Sequence, residues 1–121
     1  MVILPNKQLR DGINILDKVT QAQYEVKAKV LKALAHPTRL FIVEELERGE
    51  RCVCQLVEMI GADFSTVSKH LSILKQSGIV ADEKRGQMVF YRLQVPCVLR
   101  FVECVEAVVE SHIKSQVALL G

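Results

Sequence analysis

Long hydrophobic runs are missing from this chain, and none approaches the roughly 18 apolar residues needed to span a bilayer. The opening Met-Val-Ile-Leu-Pro-Asn-Lys is also too short an apolar stretch for the hydrophobic region of a secretory signal. A large charge of one sign is lacking too. The formal net charge is only +2, so overall charge makes no case for nucleic-acid binding. There is no internal repeat, no low-complexity segment, no glycine-rich loop of the phosphate-cradling kind, and no Ser/His/Asp set on a plausible scaffold. These absences argue against a membrane span, a solenoid and the common enzyme classes. The expectation is a cytoplasmic, single-domain protein, 121 residues being enough for one core. In a reducing compartment its four cysteines are expected to serve as ligands, sensors or core filler.

What is present is a strong helical rhythm. Ile13, Leu16, Val19, Val26, Val30 and Leu34 recur at amphipathic-helix spacing after a loose start around Pro5 to Gly12. His36-Pro37-Thr38 breaks that run. Proline is tolerated in a first helical turn, so a new helix begins there, carries Leu40, Ile42, Val43 and Leu46, and stops at Gly49. Cys52 to Ile60 reads as a short helix closed by Gly61. Asp63 then looks like the N-cap of a helix from Phe64 to about Ser77, stopped by Gly78. On that helix Val67, Leu71 and Leu74 form one apolar stripe, which leaves Ser65, Thr66, Ser68, Lys69 and Gln76 on the polar side. Two strands, Ile79 to Glu83 and Gln87 to Leu93, surround a basic Lys84-Arg85-Gly86 turn, and Val89, Tyr91 and Leu93 should share a face.

Pro96 opens a last helix reaching about Leu119. Between Cys97 and Val109 only Arg100, Glu103 and Glu106 are charged, on one narrow stripe. A helix apolar around most of its circumference must be covered on more than one side, and a second copy of the chain is the economical cover. The fold class expected is therefore mainly α with a small β-hairpin. It is a winged helix-turn-helix, with residues 52–77 as the helix-turn-helix, 79–93 as the wing, and 96–119 as a dimerisation helix. Local charge agrees with a nucleic-acid partner. Ser65 to Arg92 holds five basic residues against two acidic ones, giving +3 there and leaving −1 for the rest.

Four segments in this order carry a resemblance: KALAHPTRL from Lys32 to Leu40, CVCQL from Cys52 to Leu56, STVSKHL from Ser65 to Leu71, and FYRL from Phe90 to Leu93. Together they resemble the ArsR family of metal-responsive repressors, and the similarity runs from about Lys29 to Leu93. The resemblance implies a homodimer, with residues 1–34 joining 96–119 as dimerisation helices, that represses its own operon by binding double-stranded operator DNA and leaves it when an inducer binds. It implies that Ser65, Thr66, Ser68, Lys69 and His70 face the DNA, with Arg85 at the wing. One departure is Phe64, where many members carry a polar residue such as glutamine.

Cys52 and Cys54 form a C-x-C at the start of the first helix of the helix-turn-helix. Thiolates suit soft, thiophilic ions, and in the resembling family this arrangement goes with sensing of trivalent arsenic or antimony, or of cadmium or lead. In an α-helix, residues two apart point about 200° away from each other, so gripping one ion would require that turn to unwind. Arsenite sensors of this kind commonly place a third cysteine where this chain has Val57, which leaves Cys97 and Cys104 as candidates for a third ligand. Those two are seven apart on the expected last helix, about 10 Å along its axis, and cannot bind one ion together. The family's zinc site on that helix matches Val95, Cys97, Val108 and Ser111 here, which disfavours a zinc or cobalt sensor of that type. The alternative is thiol oxidation or persulfidation, since Arg51 and a helix N-terminus would both favour a thiolate at Cys52.

Overall fold

The computed structural model describes residues 17–120, so the expected helical positions Ile13 and Leu16 and the loose start before them lie outside the described residues. The chain runs α1 (Lys18–Leu34), α2 (Pro37–Glu47), β1 (Arg51–Cys52), α3 (Val53–Ile60), α4 (Phe64–Gln76), β2 (Val80–Arg85), β3 (Met88–Leu93) and α5 (Val98–Leu120). Helix α1 starts on Asp17, whose side chain accepts from the Thr20 N–H at 2.8 Å. Only Ala35 and His36 separate α1 from α2. The residue before a proline is pushed out of the helical region, and His36 is accordingly extended at φ −153°. Its imidazole Nδ1 then caps α2 by accepting from the Thr38 N–H at 3.1 Å, and Pro37 fills the first helical position, where no N–H is needed.

The core is one cluster built from the four helices α1 to α4 and the start of β2. Ile42, Val43, Leu56, Val67, Leu71 and Leu74 have no exposed surface, and Ala33, Leu34, Leu46, Val53, Ile79 and Val80 close around them. All three members of the expected α4 stripe are therefore buried. Val89, Tyr91 and Leu93 of β3 pack together on the edge of this cluster, which places them on the shared face read from the sequence.

Two strand expectations need correction. The sheet has three antiparallel strands in the order β1-β3-β2, because Arg51 and Cys52 pair with Tyr91 and Phe90. A two-residue strand carries no alternation pattern, so only its pairing partner reveals it. The turn is also shorter than the Lys84-Arg85-Gly86 expected. Lys84 pairs with Val89 and Arg85 with Met88, leaving Gly86 and Gln87 to reverse the chain. Gly86 sits at φ 64°, in the left-handed region that glycine enters without steric cost.

Helix α5 begins at Val98, so Cys97 lies in the preceding turn and the helical spacing assumed between Cys97 and Cys104 does not apply. Val98, Leu99 and Val102 touch the core, whereas Phe101, Val105, Val108, Val109, Ile113 and Val117 remain exposed. Of these, Phe101, Val105, Val109 and Ile113 border, with Leu31, Leu34 and Leu40, an apolar groove of about 860 Å³ between α5, α1 and α2. No described helix is long and apolar enough to cross a membrane.

Leu71 tests the anchoring of α4. Leu71→Ala should cost about 2–5 kcal/mol of unfolding free energy, read from urea denaturation. A loss under 1 kcal/mol would mean that the stripe is not packed as described.

Candidate nucleic-acid interface and cysteine pair

Helix α3, the Gly61 turn and α4 form the helix-turn-helix, with Gly61 at φ 74° ending α3 in a left-handed C-cap. Asp63 caps α4 by accepting from the Thr66 N–H at 2.7 Å, and that hydrogen bond holds its carboxyl below the usual range. With Val67, Leu71 and Leu74 turned inward, Ser65, Thr66 and Lys69 are exposed and Ser68 is half-buried. Thirteen residues make a rod of about 20 Å, and this small, polar N-terminal half suits a major groove. Phe64, 63% exposed, stands at its leading end.

Two residues assigned to DNA by the resemblance have other partners. His70 is half-buried, its ring centroid 4.4 Å from that of His36, and its Nδ1 is buried without a hydrogen-bond partner. It thereby ties α4 to the α1–α2 corner. Arg85 donates to both Glu50 carboxylate oxygens, at 2.7 and 3.0 Å, and to Glu83 at 2.7 Å, while its guanidinium lies 4.7 Å over the Phe90 ring. Those bonds hold the Glu50 carboxyl below its usual range and keep the guanidinium protonated. Among the five basic residues from Ser65 to Arg92, Lys75 also has a carboxylate partner, Asp82 at 3.0 Å. Lys69, Lys84 and Arg92 have no ion pair among the described residues.

The cysteine geometry overturns one expectation. Cys52 and Cys54 converge with α3 intact and are joined as a disulfide, their Cα atoms 5.4 Å apart. No unwinding is needed, because Cys52 is the N-cap: its backbone is extended (φ −77°, ψ 158°) and its side chain is not bound to the helical 100° step. Its Sγ accepts from the Gln55 N–H at 3.4 Å, and the Gln55 side chain accepts from the Cys52 N–H at 2.9 Å. This is a capping box with sulfur in place of a hydroxyl. Cys52 is 2% exposed, whereas Cys54 faces solvent. Cys52 also belongs to β1, so the pair touches the wing sheet on one side and the helix-turn-helix on the other. Cys97 and Cys104 are free and exposed, and among the described residues no group of three His, Cys, Asp or Glu is placed to hold a metal ion.

A three-stranded wing beside a helix-turn-helix with a small, polar recognition helix defines a winged-helix DNA-binding protein. The model of the arsR family of bacterial regulatory proteins matches residues 36–82. An uncharacterized HTH-type transcriptional regulator of Methanocaldococcus jannaschii is 43% identical over 57% of this chain and 79% of its own length. The cadmium resistance regulatory protein CadC homolog of Staphylococcus aureus is 38% identical over 72% and 78%. The repressor SmtB of Mycobacterium tuberculosis is 42% identical over 57% of this chain, a match spanning about half (51%) of SmtB. Among solved structures, the homodimeric winged helix-turn-helix domain of a possible ArsR-family regulator from Mycobacterium bovis superposes with a TM-score of 0.69. It is 31% identical, over 86% of this chain and 94% of that one. The chain belongs to the ArsR family: it is a DNA-binding transcriptional repressor and not an enzyme.

Burial of the His70 ring, with His36 and Arg39 nearby, pushes its pKa below the ordinary 6.5. The unfolded chain then takes up this proton first, so stability is full above pH 6.5 and falls as the pH drops below it. His70→Gln should flatten the decline in urea midpoint between about pH 7.5 and pH 5.5. An unchanged slope would place the proton-linked cost elsewhere.

Proposed function

We propose that this chain is a homodimeric repressor that binds operator DNA through Ser65, Thr66, Ser68 and Lys69 of α4, with the Cys52–Cys54 dithiol as its sensor. The observation that carries the reading is the N-cap position of Cys52, which sets its sulfur beside that of Cys54 at the junction of wing and helix-turn-helix. His70 and Arg85 belong to the same surface, His70 by holding α4 in place and Arg85 by reaching a phosphate once it leaves Glu50. Dimerisation rests on the uncovered apolar groove along α5 and on the homodimeric relative.

The signal this geometry favours is oxidation. A hydroperoxide meets the exposed Cys54 thiolate, which attacks one peroxide oxygen to give a sulfenic acid and, after protonation, one water or alcohol. Cys52 then attacks the sulfenic sulfur and expels a second water, closing the disulfide. Two thiols are oxidised and one peroxide is reduced. In a reducing cytoplasm the pair starts as dithiol, so closure marks a departure from the resting state. Closure changes the acceptor that caps α3, one turn-linked helix away from the DNA-reading surface. A tenfold loss of DNA affinity needs only about 1.4 kcal/mol of coupling.

A second reading uses the same two sulfurs as ligands for trivalent arsenic or antimony, or for cadmium or lead. It is supported by their convergence and, for cadmium, by the CadC homolog. Cys97 or Cys104, both exposed, would have to come from the partner subunit or move to complete a three-sulfur site.

Fluorescence anisotropy of a labelled duplex from upstream of the gene separates the readings. Fully reduced protein should bind, and a hydroperoxide should weaken binding about tenfold or more, reversibly with dithiothreitol. Release by stoichiometric arsenite instead would favour the second reading. Cys54→Ser should bind DNA like the parent and ignore the signal in either case. A variant that still responds would remove the pair as sensor. Lys69→Ala should make the salt dependence shallower by about 0.9 in log–log slope, the share of one phosphate contact.

A further inference from the structure

At the C-terminal end of α4, beyond its exposed N-terminal half, three cations converge where the described carboxylates do not. Lys29 and Lys32 lie three apart on α1, Arg39 in the first turn of α2, and Gln76 and Ser77 at the end of α4. They line a cavity of about 290 Å³ together with Ala33 and Ile73. Among the described residues no acidic side chain lines it, and none of the three cations has a carboxylate partner. The Nε of Arg39 is fully buried and makes no hydrogen bond. A buried N–H on a permanently charged group without an acceptor costs free energy, and an anion drawn to this guanidinium would offset part of that cost.

We infer that Lys29, Lys32 and Arg39 form a binding site for a single phosphate group. Three full positive charges outweigh the partial charges of about −0.5 each at the C-termini of α1 and α4, and the N-terminus of α2 adds about +0.5. The guanidinium fork matches two phosphate oxygens at once, and two lysines supply mobile point charges for the remainder. The Gln76 amide adds a neutral donor, whereas the Ser77 hydroxyl is already committed to the Ile73 carbonyl at 3.0 Å. At 290 Å³ the cavity lies at the small end of ligand sites, which run from about 300 to 1,000 Å³. It suits a phosphate or a phosphate ester held by its head, not an enclosed nucleotide. The phosphate comes either from a free anion or from the backbone of the bound duplex beyond the reach of Ser65 and Lys69. The second source rests on the DNA-binding reading above.

The test uses the reduced full chain and the double variant Lys29→Gln/Lys32→Gln, whose altered side chains are both exposed. In the first arm, inorganic phosphate is titrated into DNA-free protein at constant ionic strength, and the amide NMR shifts of Ala33, Ile73 and Ser77 are followed. Saturable shifts in the parent, absent from the variant, establish the site with a free anion as ligand. In the second arm the slope of log affinity against log salt is measured on the duplex. A slope shallower by about 0.9 in the variant, about a threefold change in affinity between 50 and 200 mM salt, assigns the site to the DNA backbone. If neither arm changes, the proposal is overturned. If the parent fails to bind any duplex, the DNA-binding reading falls by itself, and the first arm alone decides the site.

Discussion

Val67, Leu71 and Leu74, all without exposed surface, pin the inner stripe of α4 against Ile42, Val43 and Leu56, and the placement of the polar face of α4 follows from that contact. Burial of three aliphatic side chains is worth several kcal/mol, far more than any exposed polar contact that α4 makes. With the stripe inward, the helical step turns Ser65, Thr66 and Lys69 outward. The polar face is thus held rigid by the apolar one, and its small side chains gain a defined position without depending on one another. The His36–His70 contact adds a second, lateral constraint, joining α4 to the corner where α1 gives way to α2.

The short strand β1 has an importance out of proportion to its two residues. Arg51 bridges to the buried Glu45 at 3.2 Å, and Cys52 both pairs with β3 and caps α3. Wing, helix-turn-helix and cysteine pair therefore meet within a few residues. Glu50, next in the chain, holds Arg85 at the wing tip through a two-pronged contact. A change at Cys52 has a direct covalent route to the cap of α3 and a route of hydrogen bonds to the wing. The lone pairs of one sulfur are shared between redox chemistry and helix capping, which makes this position suited to coupling the two.

The uncovered faces of α1 and α5 have a different character from the polar surface of α4. Phe101, Val105, Val109 and Ile113 are about half exposed along one groove, a continuous apolar surface rather than scattered residues. A second copy would cover it and would set two α4 helices at a defined separation, the geometry that lets a two-fold protein read two half-sites.

Much of this was legible in the residues themselves. The stripe of α4, the caps at Asp63 and Gly61, the proline-led start of α2 and the apolar girth of α5 are encoded by local spacing, and each stands where periodicity and capping chemistry placed it. The C-x-C and the order of motifs pointed to the family. Tertiary structure alone decided the rest, because it depends on contacts between residues distant in sequence. β1 exists only through its pairing with β3, nearly 40 residues later. The neutralisation of Arg85 needed Glu50 across the sheet, and the retreat of His70 needed His36 from another helix. The convergence of Cys52 and Cys54 turned on one backbone angle pair at an N-cap, where the helical step that would have driven them apart does not yet apply. Periodicity reports which face of a helix is apolar, but pairing across the fold determines which polar side chains on that face remain free to act.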